Sequence, residues 1–120
     1  MEDVTLEELR KLLDGGSVLL LDVRTSGEYE GVTGSHCDPR QGHIPGAVNV
    51  SLERILECRS VEEVRRLVGA PQGAEVVAYC HVGSRSQFAA QVLEQAGYRA
   101  RNYVGSWHEW SRAVPDPANG

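Results

Sequence analysis

The chain has 120 residues, 12 Lys and Arg against 17 Asp and Glu, and a formal net charge of -5, which argues against nucleic acid or an anionic membrane as its main partner. That length builds one core without disulfide or metal support and leaves no room for a second domain. Residues 1–114 are expected to form the domain and 115–120 a flexible tail.

Three cysteines, Cys37, Cys58 and Cys80, are an odd number in a sequence with no visible secretory or targeting signature, which points to a reducing, cytoplasmic compartment. The longest apolar runs, such as Val18-Leu19-Leu20-Leu21, are far too short to span a bilayer. No internal repeat or low-complexity segment is visible.

In chain order, Thr5-Leu6-Glu7-Glu8 has the form of a capping box and opens a helix with Leu6, Leu9, Leu12 and Leu13 on one face, stopped by Asp14-Gly15-Gly16. Val18 to Leu21 reads as a buried strand ending at Asp22. If the strands are parallel, the Asp22 carboxylate lies at the same sheet edge as Cys80, where Asp22-Val23-Arg24 either braces a loop or caps its own turn. Ser26 to Gly42 is polar and glycine-rich, a long surface connection with one helical turn around Gly27-Glu28-Tyr29-Glu30. His36 and Cys37 lie in it, and only Cys58 or His43 could join them around a metal, so no metal or other cofactor is expected.

Gly42-His43-Ile44-Pro45-Gly46-Ala47 is a rigid turn into a short strand, Val48-Asn49-Val50, and His43 is its one residue with acid–base potential. Ser51 caps a helix from Leu52 to Cys58, where Cys58 is a packing residue. Ser60-Val61-Glu62-Glu63 repeats the capping-box pattern ahead of Val64, Leu67 and Val68. Pro71-Gln72-Gly73 turns into the strand Glu75 to Tyr79, and Gln87 to Leu93 follows as a helix with Phe88, Val92 and Leu93 on one face. That helix ends at Gly97, Ala100 to Val104 forms one more strand, and a last helix carries Trp107 and Trp110 on one buried face.

Chemistry concentrates between that strand and helix, in Cys80-His81-Val82-Gly83-Ser84-Arg85-Ser86. In open α/β sheets ligands bind beyond the carboxyl ends of the strands. Most free cysteines are structural, but strand exit, a glycine three residues on and an arginine five residues on suit a nucleophile. The thiolate is the reactive form, and an ordinary thiol titrates near ~8.5. Lowering a thiol by about two units takes roughly 2.7 kcal/mol, whereas a helix dipole supplies roughly 0.3–1 kcal/mol and at most ~2. Several loop N–H groups, with Arg85 and His81 as neighbouring cations, therefore have to share the task. Gly83 suits a sharp turn with inward-facing amides.

In order along the chain, Leu20-Leu21-Asp22-Val23-Arg24, Glu28-Tyr29, Gly42 to Ala47, Tyr79-Cys80 through Arg85-Ser86, and Tyr103 to Trp110 resemble the rhodanese family of sulfurtransferases. The resemblance implies an α/β fold with a five-stranded parallel sheet and helices on both faces. It makes Cys80 the nucleophile that carries a sulfane sulfur as a persulfide, drawn from thiosulfate or another persulfide and passed to a thiol, cyanide or a protein acceptor. His81, Val82, Gly83, Ser84 and Arg85 would line the substrate site, with Asp22, Arg24, Glu28, Ser86 and Trp107 supporting the loop.

Cell-cycle tyrosine phosphatases of the same fold place one more residue between cysteine and arginine, and the shorter ring here fits one terminal sulfur better than a phosphoryl group. The resemblance extends to arsenate reductases of the fold, which also use a cysteine, and to rhodanese binding modules, which often lack it. The two-domain thiosulfate enzymes carry a donor-binding arginine where this chain has Glu28 and a lysine where it has Val82, and the Gly-Ser or Gly-Thr pair of mercaptopyruvate enzymes is here His81-Val82. The insert from Gly31 to Gln41 and the Gly-Ser-Trp ending resemble one half of a two-domain enzyme.

Overall fold

The computed structural model describes residues 3–113, so the tail expected at 115–120 lies outside the described residues. In chain order the elements are β1 (Asp3–Val4), α1 (Leu6–Gly15), β2 (Leu19–Asp22), α2 (Ser26–Glu30), β3 (Val48–Asn49), α3 (Leu52–Glu57), α4 (Val61–Val68), β4 (Glu75–Tyr79), α5 (Ser84–Gln95), β5 (Arg99–Tyr103) and α6 (Ser106–Ala113). The strands form one five-stranded sheet in the order β1-β5-β4-β2-β3. Every neighbouring pair is parallel, and Asp22 stands in register with Tyr79.

Period-2 alternation divides the core between the two faces of the sheet. Leu21, Val76, Ala78 and Ala100 pack with Ile55, Val64, Val68, Ala89, Ala90 and Leu93 of α3, α4 and α5. Leu20, Val77, Tyr79 and Tyr103 pack on the other face with Leu9 of α1 and with Trp107 and Trp110 of α6. Helices thus cover both faces, as both faces of a parallel sheet require.

Local chemistry explains most boundaries. Thr5 and Glu8 close the capping box of α1, and Gly16 ends that helix at φ 71°. Thr25 and Glu28 form a second box on α2. Ser51 caps α3 and Ser60 caps α4. The Glu63 carboxylate, however, accepts from the Arg59 N–H at 2.8 Å, so the expected second half of the α4 box is not made.

Two further expectations are corrected. Phe88 is 51% exposed and is not on the core face of α5; Ser86, Ala89, Ala90 and Leu93 are the buried residues there. Small side chains let the α5 backbone approach β4 and β5 closely, and a phenyl ring would hold it off. The last strand runs one residue earlier than read, over Arg99–Tyr103, leaving Val104 exposed in the turn to α6. The fifth strand, β1, is two residues long, too short for alternation to register in the sequence, and joins the sheet by pairing Asp3 and Val4 with Asn102 and Tyr103.

Candidate active site

β4 ends at Tyr79, and the next residue, Cys80, is fully buried at the mouth of the turn into α5. Three donors converge on its Sγ: the Gly83 N–H at 3.1 Å, the Ser86 N–H at 3.4 Å and the Ser86 hydroxyl at 3.3 Å. Burial pushes the thiol pKa up, but hydrogen bonds from the Ser86 hydroxyl and from the N–H groups of Ser86, Gly83 and Val82 outweigh it and hold the thiol below its ordinary value.

Gly83, the residue before α5, has φ 96°, and a Cβ there would meet the Val104 carbonyl oxygen at 2.7 Å. Both the left-handed backbone and the contact demand glycine. The far side of the loop is tied to β5 and α6. Asn102 donates to the Gly83 carbonyl at 3.1 Å, the Cys80 N–H donates to Ser106 Oγ at 3.1 Å, and Ser106 Oγ donates to the Tyr103 carbonyl at 2.9 Å. The N–H groups of Trp107 and His108 in turn reach the carbonyls of Cys80 and His81 at 2.9 and 3.0 Å. Ser106 takes φ 56° to do this, a conformation an L-residue holds only when its surroundings fix it.

Arg85 is held by an acid from another helix. Its Nη1 and Nη2 meet Glu28 Oε1 and Oε2 at 2.8 and 3.1 Å, a two-pronged pair that anchors α5 to α2. Glu28 is partly desolvated, which raises its pKa, yet the bonds from Arg85 and Thr25 hold it down at about 2. Local hydrogen bonds lead in stabilising the thiolate, while the Arg85 charge, attracted by Cys80 as well as by Glu28, is held by the α2 acid and makes no bond to the sulfur.

Asp22 and Arg24 sit beneath the opposite face. Asp22 accepts from Arg24 Nη2 at 2.7 Å, from the Arg24 N–H at 2.9 Å and from the Tyr79 hydroxyl at 2.7 Å. Arg24 also donates to the Gly42 carbonyl at 2.6 Å, and its guanidinium lies 5.3 Å from the Trp107 ring centre. Asp22 thus both caps its own turn and braces a loop, but the loop it braces is Gly42–Ile44, since Tyr79 Oη in turn accepts the Ile44 N–H at 3.1 Å. Trp107 is buried and donates to the Arg40 carbonyl at 3.2 Å.

The chain that places this buried cysteine at the end of a central parallel strand is similar to known proteins. The model of the rhodanese-like domain matches residues 5–113. The chain belongs to the rhodanese family. It is 35% identical to the sulfur carrier protein TtuD of Thermus thermophilus, over 96% of this chain and 45% of that protein. It is likewise 35% identical to a thiosulfate sulfurtransferase of Corynebacterium glutamicum, over 92% of this chain and 41% of that one. The chain thus spans less than half the length of these curated relatives. Among solved structures, the human single-domain sulfurtransferase TSTD1 superposes with TM-score 0.73 at 30% identity, covering 94% of this chain and 97% of that one. A probable thiosulfate sulfurtransferase gives TM-score 0.79 at 43% identity, covering 92% of this chain and 44% of that one.

The remaining residues of this rhodanese loop divide by exposure. Val82 and Ser84 are exposed at its rim. The His81 imidazole leaves the sulfur and turns to Asp38, its Nε2 lying 3.0 Å from Asp38 Oδ2. Cys37 is exposed, and Cys58 sits at the end of α3 with its Sγ 3.5 Å from the Arg54 carbonyl, a packing position as expected. His43 stacks flat on Tyr29, ring centres 3.7 Å apart, and bonds the Tyr29 carbonyl at 2.8 Å.

Ser106, Asn102, Tyr79 and Asp38 touch the site or its supports and do not stand out in the sequence. Asn102 lies in a strand that reads Arg-Ala-Arg-Asn-Tyr, where one more polar residue carries no signal of its own. Asp38 carries none, because it reaches His81 across a connection without periodicity.

Proposed function

We propose that this rhodanese domain is a sulfurtransferase in which Cys80 carries the sulfur. The observation that supports it most is the ring of donors from Gly83 and Ser86 around one sulfur atom. The Cys80 thiolate attacks the outer sulfur of thiosulfate; the new S–S bond forms as the sulfur–sulfur bond of the donor breaks, sulfite leaves with the electron pair, and Cys80 holds a persulfide. Cyanide or a thiolate then attacks the terminal sulfur, and the Cys80 thiolate leaves and is regenerated. The same loop donors stabilise the charge on whichever sulfur bears it. Gly83 and Ser86 hold the sulfur; His81, Val82 and Ser84 form the rim that meets donor and acceptor; Arg85, through Glu28, fixes the start of α5; Asp22, Arg24 and Trp107 keep the strand exits in place.

Donors are thiosulfate or a low-molecular or protein persulfide, and acceptors are cyanide, a thiol or a protein thiol; no nucleic acid or membrane is a partner. A reducing cytoplasm suits a reactive thiol with two other free cysteines in the chain. Among the described residues, no helix is long and apolar enough to cross a membrane. Phosphoryl transfer is disfavoured because it needs donors for three equatorial oxygens, and the loop arginine is already engaged by Glu28.

Two reactions offered to the same protein test this: thiosulfate with cyanide, read as thiocyanate, and an aryl phosphate, read as released phenol. Thiocyanate forms, phenol does not, and Cys80→Ser abolishes the first. Phenol release that is lost in Cys80→Ser, without thiocyanate from the wild type, overturns the proposal.

A further inference from the structure

Asp38, His81 and His108 come from three separate parts of the chain, namely the connection between α2 and β3, the Cys80 loop and the first turn of α6. Their donor atoms nevertheless all lie within 4.8 Å of one another. A tetrahedral ion with bonds of 2.0–2.2 Å holds its ligand atoms about 3.3–3.6 Å apart. The distances here are 3.0 Å from His81 Nε2 to Asp38 Oδ2 and 3.7 Å from His108 Nδ1 to Asp38 Oδ1. Small side-chain movements bring both to that value.

The Asp38 side chain is 1% exposed. Its Oδ2 and the His81 Nε2 are both buried and have no aligned hydrogen-bond partner although they face each other. Buried polar atoms left in that state call for an ion or a water between or beside them. The two histidines are also held for the purpose: the His108 N–H donates to the His81 carbonyl at 3.0 Å, and the rings meet edge to face with centres 5.7 Å apart.

Arg112 gives the second indication. Its Nη1 lies 2.8 Å from Asp38 Oδ1 and 3.1 Å from His108 Nδ1. Arginine has no acceptor atom, so in this contact His108 Nδ1 can only accept, with its lone pair turned to a cation as in metal binding; the same Nη1 also donates to the His108 carbonyl at 2.7 Å. A cation already sits on the ligand set, at the end of a side chain that is 36% exposed and gives up its bonds to the carbonyls of His108 and Cys37 when a metal displaces it.

The geometry points to a binding site for a divalent transition metal, Zn2+ above all, on Asp38, His81 and His108, with Arg112 as the competing internal cation. Two imidazoles and one carboxylate suit Zn2+ and disfavour Mg2+ and Ca2+, which require oxygen ligands. Three protein ligands leave a fourth position for water. Because His81 follows Cys80 directly, metal at this site clamps the rim of the sulfur-binding loop, but the site itself stands whether or not the domain transfers sulfur.

The test is a Zn2+ titration against a chromophoric chelator, in a Cys37→Ser, Cys58→Ser background that keeps Cys80 and removes the other thiols. One equivalent binds. His108→Ala, a change at a half-exposed side chain that leaves the core intact, weakens binding at least tenfold, and Arg112→Ala strengthens it several-fold by removing the competitor. Binding that His108→Ala leaves unchanged, or that Cys80→Ser alone abolishes, overturns the proposal, as does no binding in either the background protein or its Arg112→Ala variant.

Discussion

The guanidinium of Arg85 lies against the Glu28 carboxylate at 2.8 and 3.1 Å, so the one arginine of the Cys80 loop is matched by an acid from α2. Glu28→Gln is expected to lower stability by about 1–2 kcal/mol near neutral pH, a value reduced for the solvent screening of a pair whose arginine is one-third exposed. The folded pKa of Glu28, about 2, lies below its ordinary 4.5. The pair's contribution is therefore complete above about pH 4.5 and disappears as pH falls through about 2. Thermal melts of wild type and variant should differ most above the upper value and converge below the lower one. With the acid neutralised the Arg85 charge is less offset, so the Cys80 thiol should titrate no higher than in the wild type.

Ser86→Ala removes one donor from the sulfur without opening a large cavity. The apparent pKa of the thiol should rise, and persulfide formation at neutral pH should slow by about tenfold, the equivalent of one hydrogen bond to a charged group. The pH dependence of alkylation of the Cys80 peptide reads the first, and stopped-time mass spectrometry the second. An unchanged titration would remove Ser86 from the site.

Gly83→Ala puts a methyl group 2.7 Å from the Val104 carbonyl oxygen at φ 96°. A loss of about 1–3 kcal/mol is expected from the backbone alone, with the Gly83 N–H displaced from the sulfur. Denaturant midpoints measure the loss, and thiocyanate formation should fall with it.

Ser106→Ala leaves the buried Cys80 N–H without its acceptor. An unmade buried bond costs about 1–3 kcal/mol, and the amide of Cys80 should lose hydrogen-exchange protection before the amides of β2 do.

The central strands and most helices were legible because each carries its own signal: the apolar runs of β2 and β4, the Thr5–Glu8 box, and the capping serines at 51 and 60. Cys80 and Gly83 were legible for the same reason, since a strand exit followed by a glycine and a helical pattern is local. What Arg85 does was not, because its partner Glu28 is 57 residues away and either role, anion binder or brace, needs the same side chain. Phe88 misled through hydrophobicity alone; the helix face that meets the sheet is chosen by size, and Ala89 and Ala90 fit where a ring does not. Ser106 and Asp38 act through tertiary contacts that no spacing announces.

Carriage of sulfur on Cys80 is the central claim, and intact-protein and peptide mass spectrometry after incubation with thiosulfate tests it most directly. A gain of about 32 Da, one sulfur, is predicted on the peptide containing Cys80, removed by cyanide and absent from Cys80→Ser. A gain confined to the peptides of Cys37 or Cys58, with the Cys80 peptide unchanged, would contradict it.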